Sequence, residues 1–235
     1  MNENDYDPIG GHTKEEADVA YAKLFKELHG EESEEGSNCS ENISIIGHRK
    51  PDTGSICSAL AYARLKNMID PGRKYHPYRA GCINKETAYV LRFFNTPEPP
   101  LYEERGDVLP EVSRRNIILV DFNDLSQSPD GIYEGMILEI IDHHRLELCK
   151  MHEPITIRIQ PYGSTATIIY EIYKEKGIVP DKNTAGLLCA SIMSDTLFFR
   201  TQATLKQDRL AGAESANIAG LDMEAFWAEM SSVKE

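Results

Sequence analysis

Four short stretches of the chain carry side chains able to bind a divalent cation. GHRKPDTGSI offers His48 and Asp52, four residues apart in a turn that Pro51 constrains; ILVDFND offers Asp121; IIDHHR offers Asp142, His143, His144 and Arg145; SIMSDTLFFR offers Asp195. Imidazole nitrogen and carboxylate oxygen suit Mn²⁺, Co²⁺, Mg²⁺ or Zn²⁺, and a carboxylate shared by two ions about 3.5–4 Å apart recurs in enzymes that hydrolyse phosphate bonds. The chemistry this set predicts is metal-assisted transfer of a phosphoryl group to water. A single His or Asp after a strand is more often a turn former or helix cap. Four sites of one hard-ligand type, all at element ends, are poorly explained as independent caps. Asp142 has a second reading, in which it orients a neighbouring imidazole instead of binding an ion. GSTATII, where Gly163, Ser164 and Thr165 open a helix, reads either as a plain N-cap or as an anion cradle of backbone N–H groups.

These residues need a frame that brings them to one place. From Asn42 onward short β-branched runs alternate with amphipathic stretches. Strands are predicted at Ile43–Ile46, Ile117–Val120, Ile137–Ile141 and Ile155–Ile159, and helices at Ser55–Met68, Lys85–Phe94, Ser164–Lys176, Thr184–Met193 and Gln207–Ala216, with a shorter one at Met223–Met230. This alternation predicts an α/β fold, a mostly parallel sheet with helices on both faces, whose ligands gather beyond the carboxyl ends of the strands. Ahead of it, Thr13 and Glu16 form a capping box, and Ala17, Tyr21, Leu24, Phe25 and Leu28 follow at helical spacing before the acidic EESEEGSNCS. Residues 1–41 are therefore expected to be an N-terminal helical appendage with an acidic linker, and residues 42–235 a metal-binding catalytic domain.

Composition narrows the class. The 235 residues are 41% hydrophobic and 27% charged, as in folded globular proteins. The formal net charge of −13, to which residues 1–41 contribute twelve Asp/Glu and three Lys, argues against nucleic acid or an anionic membrane as a partner. No apolar run approaches the roughly 18 residues of a membrane span, and MNENDYDPIGGH lacks the basic start and apolar core of a signal peptide, so a cytoplasmic location is expected. Five cysteines (Cys39, Cys57, Cys82, Cys149, Cys189) without a CxxC pair suggest free thiols, not a disulfide framework or a thiolate zinc site.

GHRKPDTGSICSALAYARLKN, INKETAYVLRFF, ILVDFND, IIDHHR, GSTATIIYEIY and LLCASIMSDTLFFRT, in this order across residues 42–231, closely resemble the family II inorganic pyrophosphatases of the DHH phosphoesterase superfamily. The resemblance implies a DHH-type domain that hydrolyses inorganic diphosphate to two phosphates with two Mn²⁺ ions, Co²⁺ or Mg²⁺ being substitutes. By position, His48 and Asp52 would hold the first ion, His143 and Asp195 the second, and Asp121 both. Asp121 and His144 would be the catalytic pair, with His144 on the diphosphate. A homodimer through edge strands is expected on the same basis.

Three departures qualify that expectation. The family pattern GHxNPDTD ends in a carboxylate where this chain has Gly54, its VDHNE has a histidine where this chain has Phe122, and its asparagine before the proline is Lys50 here. Lys50 either sets a cation near the anionic substrate or is only solvated. The family also carries a second domain with substrate-clamping Lys and Arg, whereas this sequence stops at SSVKE. A weakened second ion is expected. Two other readings stay open: a degenerate relative that binds metal or a phosphorylated ligand as a regulatory or interaction subunit, and a DHH phosphoesterase acting on nucleotide phosphates.

Overall fold

Among the described residues five strands form: β1 (Asn42–Ile46), β2 (Lys74–Tyr78), β3 (Asn116–Val120), β4 (Met136–Asp142) and β5 (Thr156–Ile159). They make one sheet in the order β2-β1-β3-β4-β5, and all four pairings are parallel. The structure is a computed structural model that describes residues 42–102, 116–130, 132, 135–147 and 154–233. The predicted helix at Thr13–Leu28, with Cys39 and Cys149, lies outside the described residues.

Apolar runs without polar alternation are what a parallel sheet covered on both faces demands. Period-two geometry then divides them. Ile43, Ile45, Ile118 and Val120 join one buried cluster with Ala59, Tyr62 and Leu65, whereas Ile46, Ile117, Leu119 and Ile140 join another with Tyr102, Phe122 and Ile132. Strand β2 was not predicted. Its sequence KYHPY contains Pro77 and no apolar run, a composition tolerated because β2 is an edge strand.

The α-helices among the described residues are α1 (Thr53–Ile69), α2 (Lys85–Phe93), α3 (Thr165–Glu175), α4 (Lys182–Asp195), α5 (Lys206–Ala219) and α6 (Met223–Ser232). Asp52, Asn84, Ser164, Asp181 and Asp222 cap α1, α2, α3, α4 and α6 by accepting from backbone N–H groups of the first turn. Helix α1 is buried nearly all round, as expected of a helix lying between layers. Ala59, Tyr62 and Leu65 meet the sheet, and Ile56, Cys57 and Leu60 cluster with Val90 and Leu91 of α2 and Leu187 and Met193 of α4. Cys57 and Cys189 are buried free thiols, and Cys82 is exposed.

From β1 the chain runs outward to β2, while β3, β4 and β5 build the other half of the sheet. The strand order therefore reverses between β1 and β3, and the crevice beyond the carboxyl ends of those two strands is where open α/β sheets hold ligands. His48 follows β1 and Asp121 follows β3.

Candidate metal centre

Asp121 is the first residue after β3, and its backbone is left-handed (φ 69) while its N–H donates to the Ile141 carbonyl at 2.9 Å. Asp is one of the few residues that tolerate this conformation. The bend delivers a carboxylate only 3% exposed, whose two oxygens face different histidines. Oδ2 lies 3.8 Å from His48 Nε2, and Oδ1 lies 3.6 Å from His143 Nε2. His48 Nε2 is also 3.6 Å from Asp52 Oδ1. Donor atoms of His48, Asp52 and Asp121 lie within 4.8 Å of one another, and so do those of Asp121, His143 and His144. The two sets share Asp121 alone.

Hydrogen bonds at the far nitrogens aim the rings. His48 Nδ1 is 2.9 Å from the Arg49 carbonyl and His143 Nδ1 is 2.8 Å from the Tyr162 carbonyl. Each Nδ1–H donates there, which leaves the Nε2 lone pair directed toward Asp121. His144 is held through the same nitrogen but by a carboxylate: Nδ1 is bonded to Asp142 Oδ1 at 2.8 Å. Asp142 is fully buried; Oδ1 also accepts from the N–H groups of His143 (2.7 Å) and His144 (3.2 Å), and Oδ2 accepts from Asn123 at 2.5 Å. With its oxygens so engaged, Asp142 orients the His144 imidazole, holds the backbone of His143, and is not among the grouped donors.

The cap and ligand readings turn out to be compatible. Asp52 Oδ1 caps α1 through Ser55 N (2.9 Å) and still faces His48. Ser164 caps α3 through Ala166 N (3.2 Å) and donates to Asp195 Oδ2 (2.5 Å), while Thr165 donates to Asp121 Oδ1 (2.6 Å). The GST turn thus caps a helix and holds two acidic side chains. Gly163 before it admits no side chain cheaply, because a Cβ there would fall 2.7 Å from Thr196 Cγ2. Its N–H donates to Asp208 (2.9 Å), a buried carboxylate that also accepts from Thr167 (2.7 Å) and Leu205 N (2.7 Å).

Asp195, the last residue of α4, stands outside both donor groups, on the side of Gly54. Phe122 is packed in the sheet's second core cluster with Ile46 and Tyr102. Lys50 lies on the exposed turn between His48 and Asp52 with a left-handed backbone (φ 57) and has no ion pair among the described residues. After Asp195, Leu197, Phe198 and Phe199 are all left-handed (φ 47, 56 and 63). That run costs of order 1 kcal/mol per residue, and Thr196 braces it by accepting from Phe199 N (3.0 Å) and donating to the Ile192 carbonyl (2.5 Å).

The charges are balanced for a cation. Burial pushes the Asp195 carboxyl well above its ordinary range, and the carboxylates of Asp121 and Asp52 push it further. Burial likewise raises Asp121, against the pull of His143. Burial opposes charge on His48, but the close Asp52 and Asp121 carboxylates prevail and lift it to about 9. Asp52 is lowered because the nearby His48 and the bond from Ser55 N outweigh its burial. Asp142 is lowered by His144 and Asn123 in spite of burial, and His144 is raised chiefly by Asp142. Two carboxylates and three imidazoles converging in this way, with a third carboxylate nearby, fit a hard divalent ion, which would relieve the mutual repulsion of the acids.

Sequence reasoning missed the residues behind the donors: Asp208, Asn123 and Glu86. Glu86 lies in the INKET stretch, and its role could not be read from residue type alone. A cleft of about 680 Å³ opens beside the centre, lined by Asp52, Ile83, Asn84, Lys85, Glu86, Ser194 and Asp195.

Residues 42–192 match the DHH family, N-terminal domain. The manganese-dependent inorganic pyrophosphatase of Bacillus subtilis is 43% identical over 190 residues, 81% of this chain and 59% of that protein. A "probable manganese-dependent inorganic pyrophosphatase" of Clostridium acetobutylicum is 43% identical over 188 residues, 80% of this chain and 58% of its own length. A crystal structure from Methanococcus jannaschii, described as a "putative family II inorganic pyrophosphatase", superposes with a TM-score of 0.72 at 36% identity, covering 82% of this chain and 62% of that one. The chain therefore spans about three-fifths of the length of the relatives it matches.

Proposed function

The chain belongs to the DHH family, and from that premise we propose that it hydrolyses inorganic diphosphate to two phosphates with the aid of Mn²⁺, for which Co²⁺ or Mg²⁺ can substitute. The observation that carries the proposal is the Asp121 carboxylate, each of whose oxygens faces a different histidine. Two imidazole-bearing sites that share one carboxylate are what a pair of ions needs. The names of the Bacillus and Clostridium relatives supply the metal and the substrate.

In this reading His48 and Asp52 hold one ion, His143 and Asp195 the other, and Asp121 both. Bound ions would lower the pKa of a water and offset the negative charge of diphosphate. The chain's own residues do the rest. Asp142 fixes His144 through Nδ1 and favours its protonated form, whose Nε2–H can donate to a diphosphate oxygen. Lys50, without an ion pair among the described residues, would place a cation near the same anion. Thr165 and Ser164 hold Asp121 and Asp195 against rotation.

The same proposal takes residues 42–235 as the catalytic domain with residues 1–41 as an appendage, and a homodimer in the cytoplasm without a nucleic-acid partner. No helix among the described residues is long and apolar enough to cross a membrane. The second reading, metal or phosphoryl-ligand binding without turnover, is favoured by one observation: Gly54 supplies no carboxylate. Phosphate release from diphosphate, measured with and without Mn²⁺ in the wild type and in Asp121→Asn, separates the two.

A further inference from the structure

Glu86 lies in the first turn of α2, only 2% exposed, and belongs to neither donor group. Burying a carboxylate is costly unless its oxygens are well bonded. Here one oxygen, Oε1, accepts from two hydroxyls: Thr53 Oγ1 at 2.7 Å and Ser194 Oγ. Thr53 is itself fully buried and has Thr87 Oγ1 at 3.1 Å. The positions of the two donors in the chain give this arrangement its consequence. Thr53 directly follows Asp52 at the start of α1, and Ser194 directly precedes Asp195 at the end of α4. One buried oxygen therefore ties together the backbone segments that deliver two acids from separate elements. Asp52, Glu86, Ser194 and Asp195 also line the same cleft.

We propose that Glu86 is a positioning residue for the metal centre: through Thr53 and Ser194 it sets how Asp52 and Asp195 stand relative to one another, and thereby the affinity for divalent cations. The inference rests on the reading that Asp52 and Asp195 take up Mn²⁺. Two separate elements end at these acids, and like charges in a metal-free pocket drive them apart. A shared acceptor behind both opposes that drift without entering the pocket. The requirement is for an acceptor oxygen and not for charge, since both partners are neutral hydroxyls. Glutamine offers such an oxygen and alanine does not.

The test is calorimetric titration of the full 235-residue chain with Mn²⁺, with folding followed by circular dichroism. Glu86→Ala is expected to weaken Mn²⁺ binding by about tenfold or more, as removal of partners behind metal ligands commonly does, and Glu86→Gln to restore it to within about threefold. Thr53→Val and Ser194→Ala should each weaken binding, and adding Glu86→Ala to the pair should weaken it little further, because the three act as one unit. If Glu86→Ala does not fold, the two hydroxyl variants carry the test. A wild type that binds Mn²⁺ alongside variants that bind it equally well would overturn the positioning role alone. A wild type that binds no Mn²⁺ would overturn the reading of the site and this inference with it.

Discussion

The Asp195 carboxylate fills the space that a side chain at position 54 would need: a Cβ on Gly54 would fall 2.5 Å from Asp195 Oδ1 and 2.8 Å from Oδ2. Asp195 is held in that place by Ser164. The glycine and the placement of the acid belong together, so restoring a carboxylate at position 54 is not a simple addition of a ligand.

Gly54→Asp must turn Asp195 off Ser164 and set a further negative charge beside it. Overpacking and like charge should lower the stability of the metal-free protein by about 2 kcal/mol or more. Saturating Mn²⁺ should recover at least half of that loss, because the two carboxylates can then share a cation. Thermal unfolding with and without Mn²⁺ measures both, and an equal loss in the two conditions would mean that the new carboxylate never reaches an ion.

Mn²⁺ itself should act as a structural ligand. At a free concentration of about 100 times its dissociation constant it adds ~2.7 kcal/mol, which for a chain of this size raises the melting temperature by roughly 5–10 °C. A chelator should reverse the shift. Differential scanning calorimetry showing no shift, with binding established independently, would contradict a centre built from the folded arrangement.

Proton release follows from His48. Its pKa is about 9 in the metal-free fold against an ordinary 6.5, so its carboxylate contacts add stability in full below 6.5 and lose it as pH rises through about 9. An ion that needs the neutral imidazole must expel this proton at neutral pH. At least one proton should leave at pH 7 as the ion beside His48 binds, seen by titration in buffers of different ionisation enthalpy, and Mn²⁺ affinity at that site should rise by roughly tenfold per pH unit between 7 and 9. His48→Gln should remove one proton from the count.

Asp142→Asn tests the support behind His144. The pKa of His144 is raised chiefly by Asp142, so the imidazole charge persists to higher pH in the wild type. The variant should bring His144 down toward 6.5, seen by NMR titration of the metal-free protein. Diphosphate turnover should fall by about 10²-fold with Mn²⁺ affinity little changed. An unmoved His144 titration would assign its orientation to other contacts.

Much of this was legible from residue type. The β-branched runs become β1, β3, β4 and β5, and His48, His143 and His144, which follow β1 and β4, gather around the Asp121 carboxylate that follows β3. Strand β2 was hidden because an edge strand can carry Pro77 and need not be apolar. The residues behind the donors were hidden for another reason. Glu86 acquires its role from Thr53 and Ser194, 33 and 108 residues away, and a buried glutamate in a first helical turn looks in sequence like any other. The left-handed run of Leu197, Phe198 and Phe199 left no trace, since bulky residues rarely adopt it and no glycine marks it.

The central claim is that the carboxylate facing both His48 and His143 organises a metal-dependent diphosphatase. The direct measurement is phosphate released from inorganic diphosphate by the purified chain in saturating Mn²⁺, beside the chelator-treated protein and Asp121→Asn. Two phosphates per diphosphate consumed, dependence on Mn²⁺, and a loss of at least about 10²-fold in Asp121→Asn are expected. Phosphate release that persists unchanged in the chelator or in Asp121→Asn would contradict that claim, as would an Mn²⁺-loaded wild type that leaves diphosphate intact.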